Sequence, residues 1–231
     1  MTRILFLPGA GASPDFWKPV GDRLPEAWPK EYFGWPGLGD QPHDPAIKGI
    51  AMLDAPVSGG TTGAEAATIA IMVGGDKKVF DDALPVLQSF SANVIHMGEL
   101  GTGTVAKLVN NMLAFCNAAA AAEGLMLGVT AGLDPQKLIQ VVSSSSGNSN
   151  AFKSFSERAL SGKLDPSFAL NLAYKDLHLA LELGDELGVP LQQGASTHNL
   201  QRLAKGMGFG PDDSCSVLRV YETMLGRKVK P

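Results

Sequence analysis

Gly98-Glu99-Leu100-Gly101-Thr102-Gly103-Thr104-Val105-Ala106-Lys107-Leu108-Val109-Asn110-Asn111 decides how this chain is read. A glycine loop opens a helix that stays apolar as far as Ala131, where Gly132 supplies a left-handed stop. At ~1.5 Å per residue this helix spans about 40 Å, longer than an ordinary globular helix. Lys107 is the lone cation in its first turns, and Asn111 stands four residues on, facing the same way. A helix N-terminus carries positive partial charge and burial disfavours an ammonium, so both lower the pKa of Lys107 towards neutrality, where it can exchange a proton. The Asn111 amide is placed to hold a substrate oxygen or to orient the amine. A surface lysine whose stem covers apolar neighbours would leave the same trace.

From Thr102 onward every element reads as helix. Asp134-Pro135 caps a helix that runs to Val142, where Ser143-Ser144-Ser145-Ser146-Gly147-Asn148-Ser149-Asn150 breaks it. Ala151 to Ser161, Ala169 to Leu187, Gln193 to Lys205 and Ser214 to Leu225 complete the set. Met112 to Leu133 is apolar enough to raise a membrane question. It contains Asn117, Glu123 and many small residues, and reads as the central helix of a soluble bundle, with no membrane partner.

Upstream of the opening stretch the pattern is mixed. Ile50 to Leu53, Thr68 to Val73 and Asn93 to His96 read as strands, and Lys77 to Phe90 as an amphipathic helix weakened by Pro85. Asp54-Ala55-Pro56-Val57-Ser58-Gly59-Gly60 reads as a loop, because a proline followed by two glycines breaks regular structure, and Thr61 to Ala67 as a short helical turn. Earlier still, Ile4 to Leu7 reads as a strand. Gly9-Ala10-Gly11-Ala12-Ser13-Pro14 then leads into a helix through Leu24. Glu31 to Trp35 reads as a second strand, and Gln41 to Pro45 as a proline-rich break.

The 231 residues are 45% hydrophobic and 18% charged, enough for a substantial core and against disorder. The net charge of -4 and the lack of a basic stripe give no footing for nucleic acid. Cys116 and Cys215 match no metal spacing, and His43, His96, His178 and His198 are scattered, so no metal site is expected. Reduced cysteines and an N-terminus without a signal-peptide pattern point to the cytoplasm.

Two further stretches could carry chemistry. Ser58 with the backbone N–H groups of Gly59 and Gly60 makes a small anion cradle that suits a carboxylate, or a plain turn. In Tyr174-Lys175-Asp176-Leu177-His178, Leu172, Leu179 and Leu183 are expected to form the core face, leaving Lys175 and Asp176 at its border, where they could equally be a solvated pair. The serine run is a helix-breaking loop that could border a site.

Together these stretches resemble the β-hydroxyacid dehydrogenase family, whose best-known member is 3-hydroxyisobutyrate dehydrogenase. The resemblance runs from about Lys48 to the C-terminus. Asp54 to Gly60, with Gly63-Ala64 and Thr68, is similar to the family's substrate-binding motif, with Ala67 where a glycine is usual. Gly98, Gly101, Gly103, Lys107 and Asn111 match its catalytic motif. Lys175-Asp176-Leu177 matches its cofactor-facing motif, with Glu182 where an aspartate is often found. Ser145-Ser146-Gly147 and Gly208-Phe209-Gly210, ahead of Asp213, follow in the expected order. The resemblance implies that Lys107 is the general acid/base and that Asn111 positions it. Ser58, Gly59 and Gly60 would bind the substrate carboxylate, and Lys175 would lie near the nicotinamide of NAD or NADP or near the substrate. The substrate would be a small 3-hydroxy acid and the protein a homo-oligomer through its helices.

One departure is large. The family opens on a strand, G-x-G-x-x-G and a helix that hold the pyrophosphate, and no such motif precedes Lys48. Gly9-Ala10-Gly11-Ala12-Ser13-Pro14 imitates its first half, but Pro14 stands where the last glycine belongs. The first fifth of the chain instead resembles the opening of an α/β-hydrolase: a strand, a small-residue loop, Phe16-Trp17, then Trp35-Pro36-Gly37-Leu38-Gly39-Asp40. The hydrolase nucleophile elbow, G-x-S-x-G, is absent from the sequence. The expected fold class is therefore an α/β remnant, an incomplete Rossmann-like sheet, followed by an all-α helical domain built on one long helix. The expected segments are 1–47 (hydrolase-like), 48–97 (nucleotide-binding remnant) and 98–231 (helical). The expected function is an NAD(P)-dependent 3-hydroxyacid oxidoreductase, impaired in this chain by weak cofactor binding. The alternatives are a non-catalytic helical dimerisation module and, third, a hydrolase.

Overall fold

The computed structural model describes residues 4–6, 30–32 and 52–230. Ile4–Phe6 (β1) and Lys30–Tyr32 (β2) pair in parallel, with Ile4 opposite Lys30. They belong to a compact unit of residues 1–52, and residues 53–231 form a second. The expected loop at Gly9 to Pro14, the helix to Leu24, the stretch from Trp35 to Asp40 and the break at Gln41 to Pro45 lie outside the described residues. So do Ile50 and Ala51.

The second unit opens on a small sheet. Its central strand is Ala70–Gly75 (β5), whose Ile71 and Val73 are fully buried. Along one edge run Leu53–Asp54 (β3) and Val57–Ser58 (β4), both antiparallel to β5. Leu53 faces Gly75 and Ser58 faces Ala70, so the two short pieces keep a single register. They are one edge strand interrupted at Pro56, whose carbonyl still accepts from Met72 N at 3.0 Å. The expected loop at Asp54 to Gly60 thus carries strand pairing on either side of Pro56, and the ladder breaks there because the proline nitrogen facing Met72 has no hydrogen to donate. Gly60–Glu65 (α1) follows, and Ala67 then takes φ +54°. That left-handed turn explains why a glycine is usual at this position, since alanine carries strain there of about 1–2 kcal/mol.

Lys77–Gln88 (α2) crosses from β5 to Asn93–Gly98 (β6), which pairs with β5 in parallel. Its Pro85 is accommodated within the helix. Phe80 and the inward residues of β5 form a first core cluster.

Beyond Gly98 the described elements are helical. Thr102–Thr130 (α3) is the axis. Pro135–Ser143 (α4), Asn150–Ser161 (α5), Leu170–Leu187 (α6), Gln192–Gly206 (α7) and Leu218–Leu225 (α8) follow, the last entered through a 3-10 turn at Ser214–Val217. Asp134 and Ser149 cap α4 and α5 by accepting from Lys137 N and Phe152 N. Leu125, Met126, Phe155, Leu170 and Ala204 anchor the second core cluster. The apolar face of α6 is Leu170, Ala173, Leu177, Ala180 and Gly184, spaced three and four apart. Leu172 and Leu179, expected in that core, are exposed: each stands one position before a buried alanine, Ala173 or Ala180, and so about 100° round the helix from it.

One buried carboxylate ties the last elements together. Asp213 accepts from Ser167 N and Oγ, Phe168 N and Cys215 N, with Arg158 at 3.2 Å. Burial pushes its carboxyl up, but the hydrogen bonds from Cys215 and Ser167 outweigh it and hold the carboxyl below its usual range. Both cysteines are free thiols, and burial pushes that of Cys215 well up.

Candidate active site

The start of α3 is pinned to the sheet edge by Asp54. One of its carboxylate oxygens accepts from Gly101 N at 2.7 Å, and the other from Thr104 N at 2.6 Å and Thr104 Oγ1 at 3.0 Å. An anion on the free N–H groups of a helix end is favourable, and here it comes from a residue about 50 positions away. Gly101, at φ +96°, makes the turn into the helix. Gly103 is required by space: a Cβ there would run into the Met72 carbonyl and lie 2.9 Å from that of Asp54. Gly74 is the counterpart on β5, where a Cβ would overlap the Asp54 carboxylate and lie 2.8 Å from the Glu99 carbonyl. The glycine pattern of the opening stretch thus lets helix backbone touch sheet backbone.

That contact sets the two sides of the site along one another. Asp54 and Ser58 share a face of the edge strand and stand about 13 Å apart. Gly101 to Asn110 covers about the same distance on α3. Ser58 accordingly meets Asn110, whose Nδ2 donates to Ser58 Oγ at 3.2 Å and to Asn111 Oδ1 at 3.1 Å. Asn111 is buried, and its Nδ2 donates to Asp176 on α6 at 2.8 Å. The other Asp176 oxygen pairs with Lys175 Nζ at 2.9 Å. Ser58 and Asn111 are therefore joined by hydrogen bonds through Asn110 and on to Asp176, which is ion-paired with Lys175, so residues proposed from three separate stretches come together.

Lys107 lies partly buried on α3, one turn before Asn111. Burial lowers its pKa, and the Asp176 carboxylate opposes that by favouring the ammonium. The helix-end field expected to help is spent nearer the terminus, since it fades within the first turn and Asp54 already sits on it. Gly59 and Gly60 end the edge strand at φ +141° and +63°. Gly59 has no room for a side chain against Ile69, whereas Gly60 faces open space. Lys175 is exposed beyond its bond to Asp176.

Sequence reading passed over Asp54 as a cap and Asn110, and it named Asp176 only as the neighbour of Lys175. Asp176 does stand at the expected border, between exposed Lys175 and buried Leu177. Asn110 and Asp54 carry no such local signal. A cavity of about 370 Å³ lies elsewhere, lined by Asn117, Gly124, Leu138, Phe152 and the Ser146–Ser149 loop. Its nearest residue is ten positions along α3 from Lys107, about 15 Å, so the serine run borders a groove outside this constellation.

For a dinucleotide the donor set divides in two. Lys107, Ser58 and Lys175 offer donors along the polar chain from the edge strand to α6. The start of α2 does not suit a pyrophosphate, because the Asp76 carboxylate already takes the N–H groups of Lys78 and Val79.

Two family models match the chain. The family described as NAD-binding of NADP-dependent 3-hydroxyisobutyrate dehydrogenase matches residues 101–221. The NAD binding domain of 6-phosphogluconate dehydrogenase matches residues 43–98. The chain is 44% identical over 185 residues to 2-(hydroxymethyl)glutarate dehydrogenase of Eubacterium barkeri, covering 80% of this chain and 62% of the relative. The crystal structure of 3-hydroxyisobutyrate dehydrogenase from Salmonella typhimurium superposes with a TM-score of 0.69 at 31% identity, covering 74% of this chain and 60% of that one. The Mycobacterium tuberculosis 3-hydroxyisobutyrate dehydrogenase, determined with L-serine, gives 0.67 at 33% identity, with 73% and 60% covered. The chain thus spans about three fifths of the length of these relatives.

Proposed function

The chain belongs to the β-hydroxyacid dehydrogenase family, that of 3-hydroxyisobutyrate dehydrogenase, and on that premise we propose that it carries the substrate-binding and proton-transfer part of an NAD(P)-dependent 3-hydroxyacid oxidoreductase. The observation that carries this reading is the unbroken polar connection from Ser58 through Asn110, Asn111 and Asp176 to Lys175, with Lys107 beside it. The substrate carboxylate takes the Ser58 hydroxyl and the N–H groups of Gly59 and Gly60. Lys107 faces the hydroxyl oxygen. With its pKa lowered by burial, a larger share of Lys107 is free amine than in an exposed lysine, so it can accept the hydroxyl proton in oxidation and return it in reduction. Asn111 is locked by Asp176 and holds its turn of α3 in place, and Lys175 adds positive charge at the nicotinamide end. Bound NAD or NADP supplies the hydride acceptor or donor.

The 231 residues alone turn over slowly, because the sequence lacks the glycine fingerprint and Asp76 occupies the start of α2. The test is NADH or NADPH formation from 3-hydroxyisobutyrate by the purified chain, alongside calorimetric titration with each nucleotide. Whatever rate is seen should fall about 10²–10⁴-fold in Lys107→Ala. A rate that survives the substitution removes Lys107 from the chemistry, and a fast wild-type rate removes the impairment.

A second reading, a helical dimerisation module, draws on α3 itself. Only 33% of its most apolar 18-residue window is buried, and Val109, Leu113 and Leu127 are exposed. Its length and composition would also allow a membrane crossing, but its inner face is the bundle core. A homo-oligomer in the cytoplasm accounts for the exposed face and is compatible with the enzymatic reading. Native mass measurement with and without NAD(P) separates the two: nucleotide binding favours the enzyme, and an oligomer indifferent to nucleotide favours the module.

A further inference from the structure

The hydrogen bonds across the site have a fixed direction, and Asp176 sets it. A carboxylate can only accept, so the Asn111 atom facing Asp176 at 2.8 Å must be its NH₂ group. The other end of Asn111 is then a carbonyl, and the Asn110 atom facing it at 3.1 Å must be an NH₂ group in turn. That NH₂ group also faces Ser58 Oγ at 3.2 Å, which therefore accepts. A hydroxyl that accepts on this side keeps its single proton for another partner. Neither asparagine can be turned over without setting two donors or two acceptors against each other.

We propose that Asp176, acting through Asn111 and Asn110, is the positioning group that makes the Ser58 hydroxyl a hydrogen-bond donor to the bound acid. This rests on the reading that the substrate carboxylate binds at Ser58. Asn110 and Asp176 touch no substrate in this scheme; they decide which way Ser58 presents its proton. The site so arranged selects an acceptor group, such as a carboxylate, over an amide whose NH₂ would need an acceptor. With asparagine in place of Asp176, either end of the new amide can face Asn111, both orientations open, and the donor at Ser58 is no longer enforced.

The proposal predicts a sign opposite to that of simple charge. Removing a carboxylate near an anion site should by Coulomb's law tighten anion binding. The chain of hydrogen bonds predicts that Asp176→Asn weakens it. The experiment is calorimetric titration of 3-hydroxyisobutyrate into the full chain with NADP present. Asp176→Asn is expected to weaken binding about tenfold, Asn110→Leu several-fold, and Asp176→Glu, which keeps an acceptor, less than either. In a Ser58→Ala background the Asp176→Asn effect should vanish. Unchanged or tighter binding in Asp176→Asn, or a loss that persists without the Ser58 hydroxyl, overturns the proposal. Should Asp176→Asn fail to fold, Asn110→Leu decides, and wild-type affinity in that variant is the overturning result. Should wild-type chain bind no 3-hydroxyisobutyrate, the functional reading falls, and the side-chain amide resonances of ¹⁵N-labelled protein decide the rest. Asn110 is expected to shift in both Ser58→Ala and Asp176→Asn. An Asn110 signal indifferent to Asp176 sinks the idea.

Discussion

The two ends of α3 are held by different physics. Its first three turns are fastened by a few directional bonds, from Asp54, Ser58 and Asp176, and by two glycines that bring backbone against backbone. Its second half is held by area: Ala122, Leu125 and Met126 are buried among Phe152, Phe155 and the apolar residues of α8 and its entry turn. Directional bonds place atoms, and apolar area stabilises without placing them to the same precision. The candidate chemistry sits at the end where atoms are placed.

Substitutions can break this contrast. Gly103→Ala should be the most damaging, at about 4 kcal/mol, because its Cβ meets two backbone carbonyls that cannot yield. Urea unfolding measures it, and a loss below about 1 kcal/mol would show that the helix can lift from the sheet. Leu125→Ala, in the area-held half, should cost about 3 kcal/mol while leaving the side-chain amide signals of Asn110 and Asn111 in place. Shifted amides would mean that the two ends are coupled.

A pH titration probes α6 and α7, which pack on both halves of α3. His198 is buried, stacked 4.1 Å from Tyr174, and faced by Arg202, His178 and Lys205. Burial first, then Arg202 and the other neighbours, lower its pKa, so the folded chain favours the neutral ring. Its contribution is complete above the unfolded value of about 6.5 and is lost as pH falls below it. The urea midpoint should decline between about pH 7 and 5, and His198→Phe should flatten that decline. The smallest effect is expected at Gly124, on the groove side of α3, where an added methyl group would meet nothing within 4 Å. Gly124→Ala should stabilise by about 0.5–1 kcal/mol, the helix propensity gain alone. A shared sign for Gly103→Ala and Gly124→Ala would erase the distinction between the two ends.

Much of this was legible in the sequence for a physical reason. Helix periodicity, Asp134-Pro135 and the glycine stops are local signals, and they place most helices to within a residue or two. Lys107 and Asn111 stand out because polar residues are scarce on α3. What escaped reading depends on partners far along the chain. The Asp54 cap and the Ser58–Asn110 bond span 50 and 52 positions, and Asn111–Asp176 spans 65. The edge strand read as a loop because Pro56 removes one donor from the ladder with β5, yet the register holds on both sides of it. The α6 face was misplaced because leucines drew attention from the smaller Ala173, Ala180 and Gly184 that pack inward.

The fastening of α3 to the sheet edge also bears on motion. Bending at the junction would break the bonds from Asp54 to Gly101 and Thr104 and part the backbones at Gly74 and Gly103. No hinge can work there at ordinary cost. Ser58 and Lys107 travel as one rigid body, so the reach from one to the other is a constant of the fold. Any opening or closing of the site has to come from segments beyond that joint.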